Sequence, residues 1–205
     1  MNKTAAAIIA LAGWFAVIMQ FFLLMQVQGV PRMELVIRFF SYFTILTNIL
    51  VAVMVTLTAF SDNTFFTRPG VQTAITVYII VVGLIYNLVL RFLWSPQGMQ
   101  RFTDELLHTI IPVSAVVYWV KYVRKDGLVY RNCFLWLLFP FAYILFVALR
   151  GAASGFYPYP FIDVTRLGYP RALLNGLGMV LIFMGLSLFL TAIGQWLKHR
   201  QPLNR

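Results

Sequence analysis

The sequence predicts an all-α integral membrane protein: a six-transmembrane-helix bundle with both termini on the cytoplasmic side. Three observations lead there. Of its 205 residues, 61% are apolar and only 11% are charged, whereas soluble domains have about 45–50% and about 25%. Mean hydropathy is +0.83. The charges are also separated by uncharged stretches close to the roughly 20 apolar residues that one spanning helix needs. Such a chain cannot cover its surface with polar groups, so that surface faces lipid. A soluble enzyme, a disordered chain and a secreted disulfide scaffold are excluded. The 16 Lys and Arg exceed the 6 Asp and Glu by 10. In a soluble domain this excess would point to nucleic acid. At helix ends it meets anionic lipid headgroups, so membrane lipids are the expected partners and nucleic acid is not. The single cysteine, Cys133, permits no intramolecular disulfide. With only two histidines beside it, no metal site and no cofactor is expected.

The helices follow in order. Nothing from Thr4 to Pro31 is charged, which gives a first helix over 5–27. Lys3 ahead of an apolar run resembles a signal peptide, but the run exceeds the usual h-region of about 7–15 residues and lacks a small-x-small cleavage site. The gap from Phe39 to Ser61 gives a second helix, 35–60. The gap from Pro69 to Leu90 gives a third, 71–94. The shortest gap, Leu106 to Val120, gives a fourth, 104–123, whose end charges Asp104, Glu105 and Lys121 reach the interface. Asn132 to Leu149 gives a fifth, 131–150, and Ala172 to Leu197 a sixth, 171–197. Every loop is short, so residues 1–205 read as a single transmembrane domain.

Six spans place both termini on one side. That side carries Lys3, Arg68, Lys121, Arg124, Lys125, Arg131, Lys198, Arg200 and Arg205, including all four lysines. The other side carries Arg32, Arg38, Arg91, Arg101, Arg150, Arg166 and Arg171. Nine against seven, with Lys121, Arg124, Lys125 and Arg131 in or beside one short loop, puts the termini in the cytoplasm by the positive-inside rule. The expected location is the cell membrane (the inner membrane in a bacterium). Trp94, Trp119 and Trp196 fall near expected interfaces, where amphipathic rings belong.

An ionisable side chain within a span is a functional signal. His108 is the one histidine in a span, in Asp104-Glu105-Leu106-Leu107-His108-Thr109-Ile110-Ile111-Pro112. A neutral imidazole accepts a proton at physiological pH, as a general base must. Asp104, four residues earlier, shares its helical face and is placed to orient the ring. The same spacing serves a structural histidine bonded across helices, with Asp104 as a cap. On the second helix Ser41, Thr44 and Asn48 recur at spacings of three and four and form one polar face, with Thr47 beside it. Hydroxyls there ordinarily bond the carbonyl four residues back. Asn87 and Arg91, four apart, close the third helix. The Tyr157-Pro158-Tyr159-Pro160-Phe161 segment is stiff and non-helical, and is expected to fold over the bundle mouth.

The count of spans alone brings these features to one leaflet. Counted from the expected helix starts, Thr44 lies about 14 Å deep and His108 about 6 Å, a difference of about 8 Å.

Three short patches resemble a known family, that of androgen-induced gene 1 protein and androgen-dependent TFPI-regulating protein, which are multi-pass membrane hydrolases with a threonine nucleophile and a histidine partner. Tyr42-Phe43-Thr44-Ile45-Leu46 is similar to the nucleophile stretch. His108-Thr109-Ile110-Ile111-Pro112 is similar to the histidine stretch. Tyr159-Pro160-Phe161-Ile162-Asp163 is similar to the late aromatic stretch. The chain departs from the animal members in lacking a second histidine just ahead of His108-Thr109. Its size and short loops point to a prokaryotic member.

The resemblance implies hydrolysis of lipid esters of the fatty-acid-ester-of-hydroxy-fatty-acid type. Thr44 would attack the acyl carbonyl, His108 would move the proton, and Asp104 would support the histidine. Asn48, Asn87 or Arg91 would stabilise the oxyanion. Ser41, Thr47, Tyr157, Tyr159 and Phe161 are expected to line the substrate pocket. Two rivals stand beside it: a membrane acyltransferase with the same Thr–His pair, and a lipid-binding or transport protein without chemistry. A bis-histidine haem carrier fails, because only His108 is available.

Overall fold

The computed structural model describes residues 2–61 and 65–200, with the backbone alone for His199 and Arg200. Arg205, counted above on the side of the termini, lies outside them. The described residues are mostly helical and contain no strand. Nine helices follow in order: α1 (Lys3–Met25), α2 (Arg32–Ser41), α3 (Phe43–Phe60), α4 (Pro69–Leu88), α5 (Gly98–Glu105), α6 (Ile111–Tyr122), α7 (Asn132–Trp136), α8 (Leu138–Ser154) and α9 (Val164–Arg200). Among the described residues, five stretches are long and apolar enough to cross a membrane: Lys3–Met25, Phe43–Phe60, Pro69–Phe92, Asn132–Ser154 and Val164–Lys198.

Small residues let α1 lie close to α3. Ala6, Ala10, Gly13 and Ala16 form its buried stripe, and a Cβ on Gly13 would meet that of Ala52 at 3.2 Å. Trp14 Nε1 donates to Thr56 on α3 (3.1 Å), and Phe21 packs edge-on against Phe39 of α2. Gln72 donates to Thr58 (3.0 Å), and Trp119 donates to Thr73 (2.9 Å). Trp119 is thus buried in the bundle rather than at a lipid interface, because its indole N–H finds a partner inside. Trp94 and Trp196 are about half exposed. Lys125, 2% exposed, donates to the carbonyls of Trp119 and Val123 and lies over the Trp119 ring, which closes the end of α6.

The expected helix 35–60 is two helices. Tyr42 is extended (φ −85°, ψ 125°) and separates α2 from α3. Ser41 therefore does not share one continuous polar face with Thr44 and Asn48. The expected helix 104–123 begins earlier, at Gly98, and passes through a widened turn at 106–110 before α6. In that turn the Ile111 N–H reaches the Leu106 carbonyl, five residues back. Pro112 explains the disturbance. The Ile111 N–H is thereby withdrawn from the Leu107 carbonyl, and Pro112, which has no N–H, leaves the His108 carbonyl without its donor. Neighbouring helices supply replacements: Asn48 donates to Leu107 O (3.2 Å) and Asn87 to His108 O (3.2 Å). Gly83 makes the approach possible, since a Cβ there would lie 3.2 Å from Pro112 Cβ and 3.3 Å from His108 O.

The remaining boundaries shift as well. The third helix ends at Leu88, followed by a tight turn over Leu90–Phe92. The fifth runs further than expected, to Ser154, where Gly155 (φ 70°) supplies the left-handed C-terminal stop. The sixth begins at Val164 and is interrupted at Gly168 (φ 71°, ψ 160°), two residues before Pro170.

Asn87→Leu orphans the His108 carbonyl and should cost about 1–3 kcal/mol. Adding Pro112→Ala restores a backbone donor and should recover part of that loss. Unfolding midpoints of both variants in mixed detergent micelles test this; equal losses would contradict the carbonyl assignment.

Candidate functional site

The break at Tyr42 exposes the first backbone donors of α3 and the last acceptors of α2, and tyrosines satisfy them. Tyr143 on α8 donates to Ser41 O (2.8 Å) and accepts from the Phe43 N–H (3.2 Å). The Tyr159 hydroxyl accepts from the Thr44 N–H (3.2 Å) and is 3.3 Å from Thr44 Oγ1. The Ile45 N–H returns to Tyr42 O (3.1 Å). Thr44 therefore lies in the first turn of a helix, not nine residues into one. Its own carbonyl accepts from Asn48 (2.9 Å), and the same Asn48 nitrogen reaches Leu107 O. One amide thus ties the Thr44 turn to the residue before His108.

Thr44 stands on the wall of an apolar cavity of about 530 Å³ between α3, α4, α8, α9 and the segment 157–162. That volume lies within the range of small-molecule sites, about 300–1,000 Å³. Its lining is aliphatic and aromatic, with Val81, Ile144, Val147 and Phe183 among its walls. The few polar atoms belong to Thr44 and to tyrosines, including Tyr143, Tyr157 and Tyr159. Of the expected pocket residues, Tyr157, Tyr159 and Phe161 line this cavity, and the Tyr159 and Phe161 rings stack at 5.3 Å. Ser41 and Thr47 do not. Ser41 is buried and donates back to Ile37 O (2.6 Å); Thr47 is fully buried, with no partner for Oγ1. The Tyr42 break turns Ser41 onto another helix, and α3 turns Thr47 away from the cavity.

His108 and Asp104 meet as their spacing predicts. His108 Nδ1 is 2.9 Å from Asp104 O and 3.2 Å from Asp104 Oδ1. Asp104 is 3% exposed. Its other oxygen accepts a short hydrogen bond from Tyr86, whose ring stacks on the imidazole at 4.0 Å. A carboxylate on Nδ1 leaves Nε2 as the free ring nitrogen, and Nε2 has no hydrogen-bond partner among the described residues. His108 does not line the cavity, and its side chain makes no hydrogen bond to Thr44.

Tyr86 is the member of this group that sequence reasoning missed. Its spacing from Asp104 carries no local signal, because the two belong to different helices.

The oxyanion expectation for the two asparagines is corrected. Both amide hydrogens of Asn48 go to carbonyls, as do both of Asn87, which also donates to Gly83 O (2.8 Å). Neither has a donor left. Arg91 binds both Glu105 oxygens (2.6 Å each) and Thr109 (3.3 Å), with its guanidinium 5.3 Å from the Tyr86 ring centre. It belongs to a polar cleft with Tyr86, Trp94, Gln97, Arg101 and Glu105, apart from the cavity. No three His, Cys, Asp or Glu side chains converge as metal ligands among the described residues.

No protein-family model, curated protein or solved structure matches the chain.

Tyr143→Phe should destabilise the protein by about 1–3 kcal/mol, because one hydroxyl serves two buried backbone groups. Tyr159→Phe, which leaves one such group unserved, should cost less. Comparing both unfolding midpoints with wild type checks the order; a reversal would place the weight of the break on Tyr159.

Proposed function

We propose that this chain is an intramembrane lipid-ester hydrolase with Thr44 as nucleophile and His108 as general base. The observation that carries the reading is the Thr44 hydroxyl on the wall of an otherwise apolar cavity, within one asparagine of the Asp104–His108 pair. An apolar cavity selects an acyl chain, and the hydroxyl is the nucleophile available to that chain's carbonyl. Activation requires the hydroxyl to exchange Tyr159 for Nε2 of His108. Thr44 Oγ then bonds to the acyl carbon as its proton passes to Nε2. The alcohol leaves with that proton, and water, deprotonated by the same imidazole, releases the acid. Asp104 holds the tautomer and stabilises the imidazolium. With the amide hydrogens of Asn48 and Asn87 spent, the Tyr159 hydroxyl is the oxyanion donor beside the attacked carbon. The threonine hydrolase family that three patches resemble has the same nucleophile and base, which supports the assignment.

A second reading is a lipid-binding protein without chemistry. It is favoured by the Thr44–Tyr159 pairing and the lack of a Thr44–His108 hydrogen bond. Labelling with a fluorophosphonate probe and mapping the adduct separates the two readings: modification at Thr44 supports the hydrolase. Thr44→Ala and His108→Ala should then abolish hydrolysis while leaving folding intact. Asp104→Asn should lower kcat far more than it changes KM. Retained activity in Thr44→Ala would end the hydrolase mechanism. Acyl transfer to an added lipid alcohol, rather than to water, would make the protein an acyltransferase with the same pair.

We further propose that the run Gly98–Tyr122 is a sixth span in a cell membrane, with both termini in the cytoplasm. The 25-residue helical path supports it, as does the meeting of α9 with the 123–131 loop through Gln195–Leu128 (3.1 Å) and Lys198–Asp126 (3.9 Å). Reporter fusions after Pro96 and after Asp126 should report opposite sides, with Asp126 inside. The same side for both would remove the sixth span.

A further inference from the structure

One charged cluster is not used by the proposed chemistry. Glu34 and Arg38 lie one turn apart on α2, and Arg150 comes from the last turns of α8. Arg38 Nε donates to Glu34 Oε1 (2.7 Å), and Arg150 Nη2 donates to the same oxygen (2.9 Å). The hydrogen bond from Arg38 holds the Glu34 carboxyl below the usual carboxylate range, with the Arg150 charge acting in the same direction. Glu34 is therefore ionised, and two guanidiniums share one negative charge. The cluster keeps one positive charge in excess.

Arg150 is the side chain that this arrangement leaves incomplete. It is only 9% exposed, and its Nη1 is buried without a partner. A buried, unpartnered donor on a charged group is costly, about 1–3 kcal/mol or more. Such a donor calls for an acceptor that the chain itself does not provide. The Phe156 ring covers both guanidiniums, its centre 4.5 Å from Arg38 Cζ and 4.6 Å from Arg150 Cζ. Phe156 directly follows Gly155, the left-handed end of α8. Arg38 and Glu34 are each about one-third exposed, so the cluster opens outward along its α2 edge.

The cluster adjoins the cavity. Val147, Ala148 and Ala152 of α8 line the cavity and flank Arg150 in sequence, as Tyr157 and Tyr159 follow Phe156. Tyr42 bridges the two places, with its ring centre 6.3 Å from that of Phe156 and 5.9 Å from that of Tyr159, which bonds Thr44. We propose that Arg38 and Arg150, beneath Phe156, form a subsite for the acidic head of an amphiphile whose chain lies in the cavity. The head is a carboxylate or a phosphate monoester, whose paired oxygens match guanidinium donors. It displaces the Phe156 ring, exchanging two cation–π contacts for charge-assisted hydrogen bonds to Nη1 of Arg150 and to the outer edge of Arg38. The inference deepens the lipid-ester reading by naming the side chains that would hold an acidic head, and rests on that reading only for the cavity as the chain site.

The test measures binding, not turnover, so it stands apart from hydrolysis. Oleate, oleoyl lysophosphatidate and oleyl alcohol are titrated against the full chain in a neutral detergent. Wild type should bind at least one of the two acids about tenfold or more tighter than the alcohol, the worth of one charge-assisted hydrogen bond. Whichever acid is preferred identifies the head as carboxylate or phosphate. Arg150→Gln should abolish the preference while leaving alcohol binding unchanged. Arg38→Gln should reduce it, and Phe156→Ala, which removes the cover, should keep or strengthen it; these two decide the matter should Arg150→Gln fail to fold. Equal binding of acids and alcohol by wild type, or an unchanged preference in the arginine variants, overturns the subsite. A preserved acid preference in a protein that hydrolyses no ester would overturn the hydrolase reading alone.

Discussion

Within an apolar bundle a freed backbone group has no water to turn to, so every interruption of a helix must be repaired by a side chain from elsewhere. Two interruptions shape this protein. At Tyr42 the chain leaves one helix and enters another, and the tyrosine hydroxyls of α8 and the 157–162 segment satisfy the groups set free. At Pro112 two carbonyls lose their donor, and Asn48 and Asn87 replace it. These repairs bind α3, α4 and α8 to one another and to the widened turn that carries His108. The geometry around Thr44 is a consequence of meeting that demand.

The repairs also decide which polar groups remain for chemistry. Asparagines that look like oxyanion donors by residue type are consumed as backbone partners. Tyrosines that look like an aromatic loop and an ordinary core residue become the polar atoms of the cavity. Thr44 owes its exposure to the cavity to the break, because the first turn of α3 faces α8 across open space. Asp104 is held from both sides, by His108 and by Tyr86 on α4, so its carboxylate is buried but not alone. The cavity and the paired carboxylate thus occupy the two flanks of one helix junction, with Asn48 between them.

Charge is divided in a similar way. Arg91 is satisfied by Glu105, and Arg124 by Asp126. Arg150 is left with a buried nitrogen unpaired beside a carboxylate it must share with Arg38. Six acidic residues cannot neutralise sixteen basic ones. The excess on this edge of the cavity lies where an amphiphile would enter.

Composition and spacing along the chain already dictate the helical class, the long apolar segments and the acidic partner of the histidine. Each of these is a property of composition or of spacing within one segment: apolar runs must meet lipid, and residues four apart on a helix share a face. Tyr157, Tyr159 and Phe161 as cavity walls were legible from the stiffness of a segment that could not continue a helix. The break at Tyr42 was not legible, because Tyr42-Phe43-Thr44-Ile45-Leu46 has no proline or glycine and reads as an uninterrupted apolar run. Only partners a hundred residues away, Tyr143 and Tyr159, make the extended conformation affordable there. The same holds for Ser41 and Thr47, which share hydroxyl chemistry with Thr44 but not its outlook on the cavity, and for Tyr86, which meets Asp104 only because Gly83 lets α4 approach the widened turn. Local spacing sets which residues can act together along one helix; tertiary structure alone decided which groups were left free once the backbone had been satisfied.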